Sequence, residues 1–239
     1  MWTRLSSRRR AEVARSVTQR LSRQLTQPSR TGSTPRILNW NTILSIGTCE
    51  VDSGYLVDHK RLVKEWRPCV GDRAYHQRLL IDDIVVKSGT VKYAIIDGLD
   101  EKFDDAYVSR VDQRIDFLGK NQVKVIVFFP HIKANRSLKS CFARPLKPTA
   151  ATCELSVDVR KTINIGFARL VARVSADHPN VKFFDQNELF CDSRKCALIL
   201  DGMPLFRDEY SHYSEYASFA VAEMFVKWAK LNAPDILRP

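Results

Sequence analysis

The sequence has no apolar run approaching the roughly 20 residues that a transmembrane helix requires. No apolar segment of the secretory type follows Met1, which opens an arginine-rich stretch, so no signal peptide is predicted. Helix-turn-helix patterns, zinc-finger spacings and aromatic RNA-binding motifs are also missing, and nucleic acid is not an expected partner. These absences predict that the chain, taken alone, is soluble.

Acidic residues are nearly absent from residues 1–36, where nine arginines face a single acid, Glu12. This segment carries much of the formal net charge of +11 in the chain of 239 residues. Such charge can attract nucleic acid, an anionic membrane or an acidic glycan, but a solvated basic tail is the favoured interpretation. Apolar residues spaced by four predict an amphipathic helix over residues 11–27. We therefore divide the chain into a basic helix and linker, 1–36, and a globular domain, 37–239.

The six cysteines include no CxxC pair, and the histidines are scattered, which disfavours a zinc site. Cys141 and Cys153 flank a proline-rich loop, whereas Cys191 and Cys196 flank a short polar turn. An even number of cysteines in near-neighbour couples favours disulfides in an oxidising compartment. Free thiols and, less favoured, a metal site are the alternatives. Neither a metal nor a cofactor is expected.

Short apolar strands alternate with amphipathic helices through the globular domain. The predicted strands cover residues 37–46, 92–97, 124–129 and 181–185, and the predicted helices cover residues 75–88, 105–121, 156–177 and 214–231. The first of these helices is expected to bury Leu79, Leu80, Ile84 and Val85, and the last Phe219, Ala222, Phe225 and Ala229. Such alternation predicts an α/β fold, a three-layer α/β/α sandwich with a mostly parallel sheet of the flavodoxin-like kind.

Ligands of open parallel sheets bind at the carboxyl ends of the strands, which directs attention to the loops there. The loop before the last helix carries His212 close to two acids, Asp208 and Glu209. A carboxylate that holds one imidazole nitrogen fixes the tautomer, and the other nitrogen can then take a proton from a nucleophile. Ser214 is suited to cap the following helix. A surface loop with a chance histidine is the simpler alternative.

The stretch from Cys141 to Val221 resembles the closing half of the SGNH domain that is fused to acyltransferase-3 membrane domains. The resemblance is carried by both cysteine couples, by the segment Phe190-Cys191-Asp192-Ser193-Arg194-Lys195-Cys196 and by the motif Asp201-Gly202-Met203-Pro204-Leu205-Phe206-Arg207-Asp208 before the histidine. It implies that His212 is the general base. Its partner is expected to be Asp208, with Glu209 in reserve.

The same resemblance implies transfer of an acyl group to a hydroxyl of a cell-surface polysaccharide, such as O-antigen or peptidoglycan. In an intact parent, an acyltransferase-3 transmembrane domain is the expected partner, on the periplasmic side of the bacterial inner membrane. The family nucleophile lies in a Gly-Asp-Ser motif after the first strand, and this sequence contains no Gly-Asp-Ser.

We therefore expect the chain to begin beyond that strand, which would leave a gap in the sheet, and to be inactive or incomplete. The loop Gly98-Leu99-Asp100 is the one candidate for an oxyanion-binding backbone N–H. The alternative function is a catalytically silent glycan-binding or interaction module on the same fold.

Overall fold

Four parallel strands form the centre of the protein in a computed structural model, which describes residues 43–46, 72–99, 103–134, 138–142, 153–208 and 210–237. In chain order the strands and α-helices are β1 (Ile43–Ile46), α1 (Asp72–Ser88), β2 (Tyr93–Ile96), α2 (Asp105–Lys120), β3 (Lys124–Phe128), β4 (Glu154–Ser156), α3 (Asp158–Asp177), β5 (Lys182–Phe184), β6 (Lys195–Ala197), β7 (Ile199–Leu200), β8 (Met203–Pro204) and α4 (Glu215–Asn232). Short 3-10 helices cover Leu138–Cys141, Gln186–Leu189 and Pro234–Leu237. The predicted N-terminal helix, the linker and residues 37–42 lie outside the described residues.

The central sheet has the strand order β1-β2-β3-β5, and every neighbouring pair is parallel. Ile43 pairs with Tyr93 at the start of β1, and the register continues without a break to Ile46 and Ile96. A missing central strand would leave these two strands apart, with unpaired backbone groups between them. The expected gap is therefore wrong for the described sheet, because β1 pairs directly with β2.

Side chains alternate between the two faces of the sheet and enter two separate cores. From β3, Ile126 and Phe128 pack toward α4, whereas Val125 and Val127 pack toward α2 and α3. This period of two is that of a strand covered on both faces. With α4 on one side and α2 and α3 on the other, the fold is the predicted three-layer α/β/α sandwich with a parallel sheet.

Helix α1 presents a different face to the interior than its sequence predicts. Val85 is buried, but Leu79, Leu80 and Ile84 are exposed, Leu80 to 61%. The physical reason is Arg114 of α2, whose side chain is fully buried and forms an ion pair with Asp82 of α1. A buried guanidinium needs a carboxylate partner, so α1 directs Asp82 inward together with Val85. The buried face predicted for this helix was wrong except at Val85.

Two small antiparallel pairs, β4 with β6 and β7 with β8, lie outside the main sheet and were not predicted. Disulfides join Cys141 to Cys153 and Cys191 to Cys196, as the cysteine couples predicted. In α4, Ala222, Phe225 and Ala229 are buried as expected, but Phe219 is exposed. Among the helices of the described ranges, none combines the length and the hydrophobicity that a membrane span requires.

Candidate active site

The carboxyl ends of the parallel strands bring polar residues of four loops together. Asp97 follows β2, His131 follows β3, Gln186 follows β5, and the hairpin that carries His212 leads into α4. Hydrogen bonds link Gln186 to Asp97 and His131 to Ser211, the residue before His212. The loops therefore form one connected polar cluster at the edge where ligands of such sheets bind.

His212 and Asp208 are hydrogen-bonded, as the sequence predicted. His212 Nδ1 lies 2.6 Å from Asp208 Oδ2, and because an ionised carboxylate can only accept, Nδ1 carries the hydrogen. This leaves the lone pair on Nε2, the nitrogen that can take a proton, in a side chain that is 46% exposed. Glu209, the reserve acid, lies outside the described residues. The arrangement is that of an imidazole held in one tautomer by a carboxylate.

Asp208 also organises the turn that carries the histidine. Its Oδ1 accepts the backbone N–H groups of Tyr210 and His212, each at 3.1 Å. Partial burial raises the pKa of the Asp208 carboxyl, but the hydrogen bonds from the side chain and backbone of His212 outweigh it, and the net pKa is lowered. Asp208 is therefore ionised at neutral pH and can accept all three bonds.

The hairpin around His212 leads directly into α4. Phe206 and Tyr213 face each other across it, and the Arg207 N–H donates to the His212 carbonyl at 2.9 Å. The Ser214 hydroxyl accepts the Ala217 N–H at 3.1 Å, which confirms Ser214 as the N-cap. Only Tyr213 and the N-cap Ser214 separate His212 from the first residue of α4, Glu215.

Gln186, which the sequence analysis did not identify, links Tyr213 to the ends of two strands through hydrogen bonds. It is 1% exposed; its amide nitrogen donates to Asp97 Oδ1 at 3.1 Å and also to the Phe129 carbonyl. Its oxygen accepts the Tyr213 hydroxyl at 2.8 Å. Burial, with the charges of Asp97 and Asp185, raises the pKa of Tyr213 well above its ordinary value, so the hydroxyl stays a donor.

Asn187 fixes the loop that follows β3. Its amide nitrogen donates to the Pro130 carbonyl and its oxygen accepts the Ile132 N–H, both at 2.8 Å. Both partners flank His131, so this buried amide sets the path of the backbone around that histidine. The signal in the sequence was a pair of amide residues directly after a strand end, at Gln186 and Asn187.

His131 is a second histidine of the cluster that the sequence analysis did not single out. Its Nε2 lies 3.0 Å from the carbonyl oxygen of Ser211, and a carbonyl can only accept, so Nε2 carries the hydrogen. Burial lowers the pKa of His131; Lys133 and His212 act in the same direction, while Asp97 and the Ser211 carbonyl oppose it. The net lowering favours a neutral ring that donates to Ser211.

Ser211 adopts a left-handed backbone conformation, with φ of +62°. For a residue with a side chain this conformation costs about 1–2 kcal/mol. Ser211 is 1% exposed, and its hydroxyl accepts the Ala134 N–H at 2.7 Å in addition to the bond from His131 to its carbonyl. Two hydrogen bonds of about 1 kcal/mol each are of the size needed to offset the strain.

The expected oxyanion donor is occupied in this structure. The Gly98 N–H donates to the side chain of Asp97 at 2.6 Å, in a turn where Gly98 has φ of +67°. A backbone N–H that is already donated to a carboxylate is not available for an oxyanion. The Gly98 N–H is therefore engaged in this structure; the Leu99 N–H stays a prediction, and Asp100 lies outside the described residues.

Comparison with known proteins gives one family match. A model of the SGNH domain that is fused to AT3 domains matches residues 43–227, more than half of the chain. A sequence comparison with curated proteins finds no match.

Among solved structures, a GDSL-like lipase from Bacteroides thetaiotaomicron is 14% identical, with 88% of this chain and 95% of that chain covered and a TM-score of 0.40. A protein assigned as an acylhydrolase from Bacteroides fragilis is 14% identical, with 92% and 97% covered and a TM-score of 0.42.

Proposed function

The chain belongs to the family of SGNH domains that are fused to AT3 domains, and from this premise we propose that it is the SGNH domain of an O-acyltransferase. The observation that carries the proposal is the bond between His212 Nδ1 and Asp208 Oδ2 at the carboxyl edge of the sheet. In the proposed reaction, a hydroxyl of a cell-surface polysaccharide, such as O-antigen or peptidoglycan, receives an acyl group.

The chemistry proposed for the pair is general base catalysis. His212 Nε2 takes the proton of an attacking hydroxyl while the oxygen of that hydroxyl forms a bond to the acyl carbon. Asp208 stabilises the imidazolium that results. The same proton then goes to the departing oxygen as its bond to the acyl carbon breaks. His212 and Asp208 can hold and return the proton, but a covalent acyl-enzyme also needs a side-chain nucleophile.

We further propose that the acyl group comes from an AT3 membrane domain and that the chain by itself does not form an acyl-enzyme. The second point is supported by the sequence, which contains no Gly-Asp-Ser motif. A periplasmic site of action is supported by the disulfides Cys141–Cys153 and Cys191–Cys196, since disulfides persist in oxidising compartments.

The first test is turnover of an activated ester, p-nitrophenyl acetate, by the full purified chain. We expect no sustained release of nitrophenol above that of His212→Ala, because a base without a nucleophile cannot cycle through an acyl-enzyme. Sustained turnover that His212→Ala abolishes would contradict the proposed inactivity.

The second test concerns the acceptor. Titration of the ¹⁵N-labelled chain with a soluble peptidoglycan oligosaccharide is expected to shift the imidazole signals of His212. The matched control is His178, which is bonded to Asp112 but follows α3, at the opposite end of the sheet from the candidate site. Shifts confined to other surfaces would contradict the acyl-transfer role and favour an interaction module.

A further inference from the structure

The two residues that flank His212 are each bonded to loops at the strand ends, while His212 itself is exposed. Before it, Ser211 accepts from His131 through its carbonyl and from the Ala134 N–H through its hydroxyl. After it, Tyr213 donates to Gln186. His212 therefore lies between two residues, Ser211 and Tyr213, that are each held by hydrogen bonds to these loops.

The contact between His212 and Asp208 is local, four residues apart in a surface hairpin. The left-handed conformation of Ser211 is unfavourable for a residue with a side chain, so bonds to Ser211 help to hold the backbone that leads into His212. The bonds to Ser211 come from the loop after β3, and Asn187 fixes that loop through Pro130 and Ile132. The direction of the His212 side chain thus depends on contacts with another part of the fold.

We propose that His131 is a positioning residue: its Nε2–H bond to the Ser211 carbonyl, together with the Tyr213–Gln186 bond, holds His212 in the tautomer and direction set by Asp208. The catalytic importance of this positioning rests on the proposed function, in which His212 is the general base. His131 itself acts only through Ser211 and is not assigned a contact with substrate.

The experiment is ¹⁵N NMR of the imidazole side chains of the full chain, which has five histidines, each signal assigned by substitution. In the unsubstituted chain we expect neutral His212 as a single Nδ1–H species. In His131→Leu, which removes the donor, we expect that species to be lost and a mixture of both tautomers to replace it. His131→Gln keeps an N–H donor near the Nε2 position and is expected to restore the single species.

The matched control is His178→Leu, which removes a histidine bonded to Asp112 and leaves the His212 hairpin untouched; its expected effect on the His212 signals is none. Circular dichroism identifies variants that fail to fold. If His131→Leu fails to fold, Tyr213→Phe replaces it as the test, because this variant removes one hydroxyl and keeps the ring. In Tyr213→Phe the single Nδ1–H species of His212 is likewise expected to be lost.

A folded His131→Leu chain in which His212 remains entirely Nδ1–H would overturn the inference. So would failure of His131→Gln to restore the single species while His131→Leu loses it. These readouts involve no substrate, so the inference can fail while the proposed function stands, and the ester and saccharide tests can fail while the inference stands.

Discussion

Replacement of Phe167 by alanine is expected to lower the free energy of unfolding by about 3–5 kcal/mol. Phe167 lies on α3 and is fully buried. Its ring centroid lies 5.3 Å from that of Phe103, 4.3 Å from that of Phe129 and 6.2 Å from that of Phe183. Removal of the ring leaves a cavity between α3 and the sheet that these rings cannot fill without leaving their own contacts. Urea denaturation measures the change.

The control for this substitution is Ile165→Ala, two residues earlier on the same helix. Ile165 is 76% exposed, so its truncation removes little buried surface and is expected to change the free energy of unfolding by less than about 0.5 kcal/mol. Equal losses for the two variants would show that α3 does not cover the sheet through the face that carries Phe167.

Acidification is expected to destabilise the chain through His131. Burial holds the pKa of His131 below its ordinary value of 6.5, so below about pH 6.5 the unfolded chain binds a proton that the folded chain does not. The stabilisation that His131 contributes is fully present above the pKa that this group has in the unfolded chain. It is lost as the pH falls toward the lower pKa that the group has in the folded chain. The slope from this one group is at most about 1.4 kcal/mol per pH unit.

The measurement is urea denaturation of the unsubstituted chain and of His131→Gln at about pH 7, 6 and 5. Glutamine keeps a donor for Ser211 but does not titrate, so the stability lost on acidification is expected to be smaller in His131→Gln. Titration of the other groups contributes to both chains and largely cancels in the difference. A difference between the two chains that stays constant from about pH 7 to 5 would show that His131 is not held neutral by the fold.

The layers of the fold could be predicted from the sequence because periodicity reports burial directly. In α2, Val108, Val111, Ile115 and Leu118 recur at helical spacing, and all four are buried. In β3 a continuous apolar run predicted a strand covered on both faces. Helix α1 could not be predicted in the same way, because its inward face depends on the charge of Arg114, which is distant in sequence.

The candidate site was predictable in part. The pairing of His212 with Asp208 is local, and a motif of a few residues was enough to suggest it; its catalytic role stays a prediction. His131, Gln186 and Asn187 were missed because they follow two different strands, His131 after β3 and the two amides after β5, and share no motif. Their convergence follows from the parallel register of the sheet and from tertiary hydrogen bonds, neither of which a periodic pattern contains.

The most direct measurement of the central claim is the ¹⁵N imidazole spectrum of His212 in the unsubstituted chain, in Asp208→Ala and in Asp201→Ala. Asp201 is a matched acid, which accepts a hydrogen bond from the Tyr216 hydroxyl in the first turn of α4. We predict a single Nδ1–H species in the unsubstituted chain and in Asp201→Ala, and its loss in Asp208→Ala. An unsubstituted chain in which His212 already shows both tautomers, or an Asp208→Ala chain with an unchanged spectrum, would contradict the account.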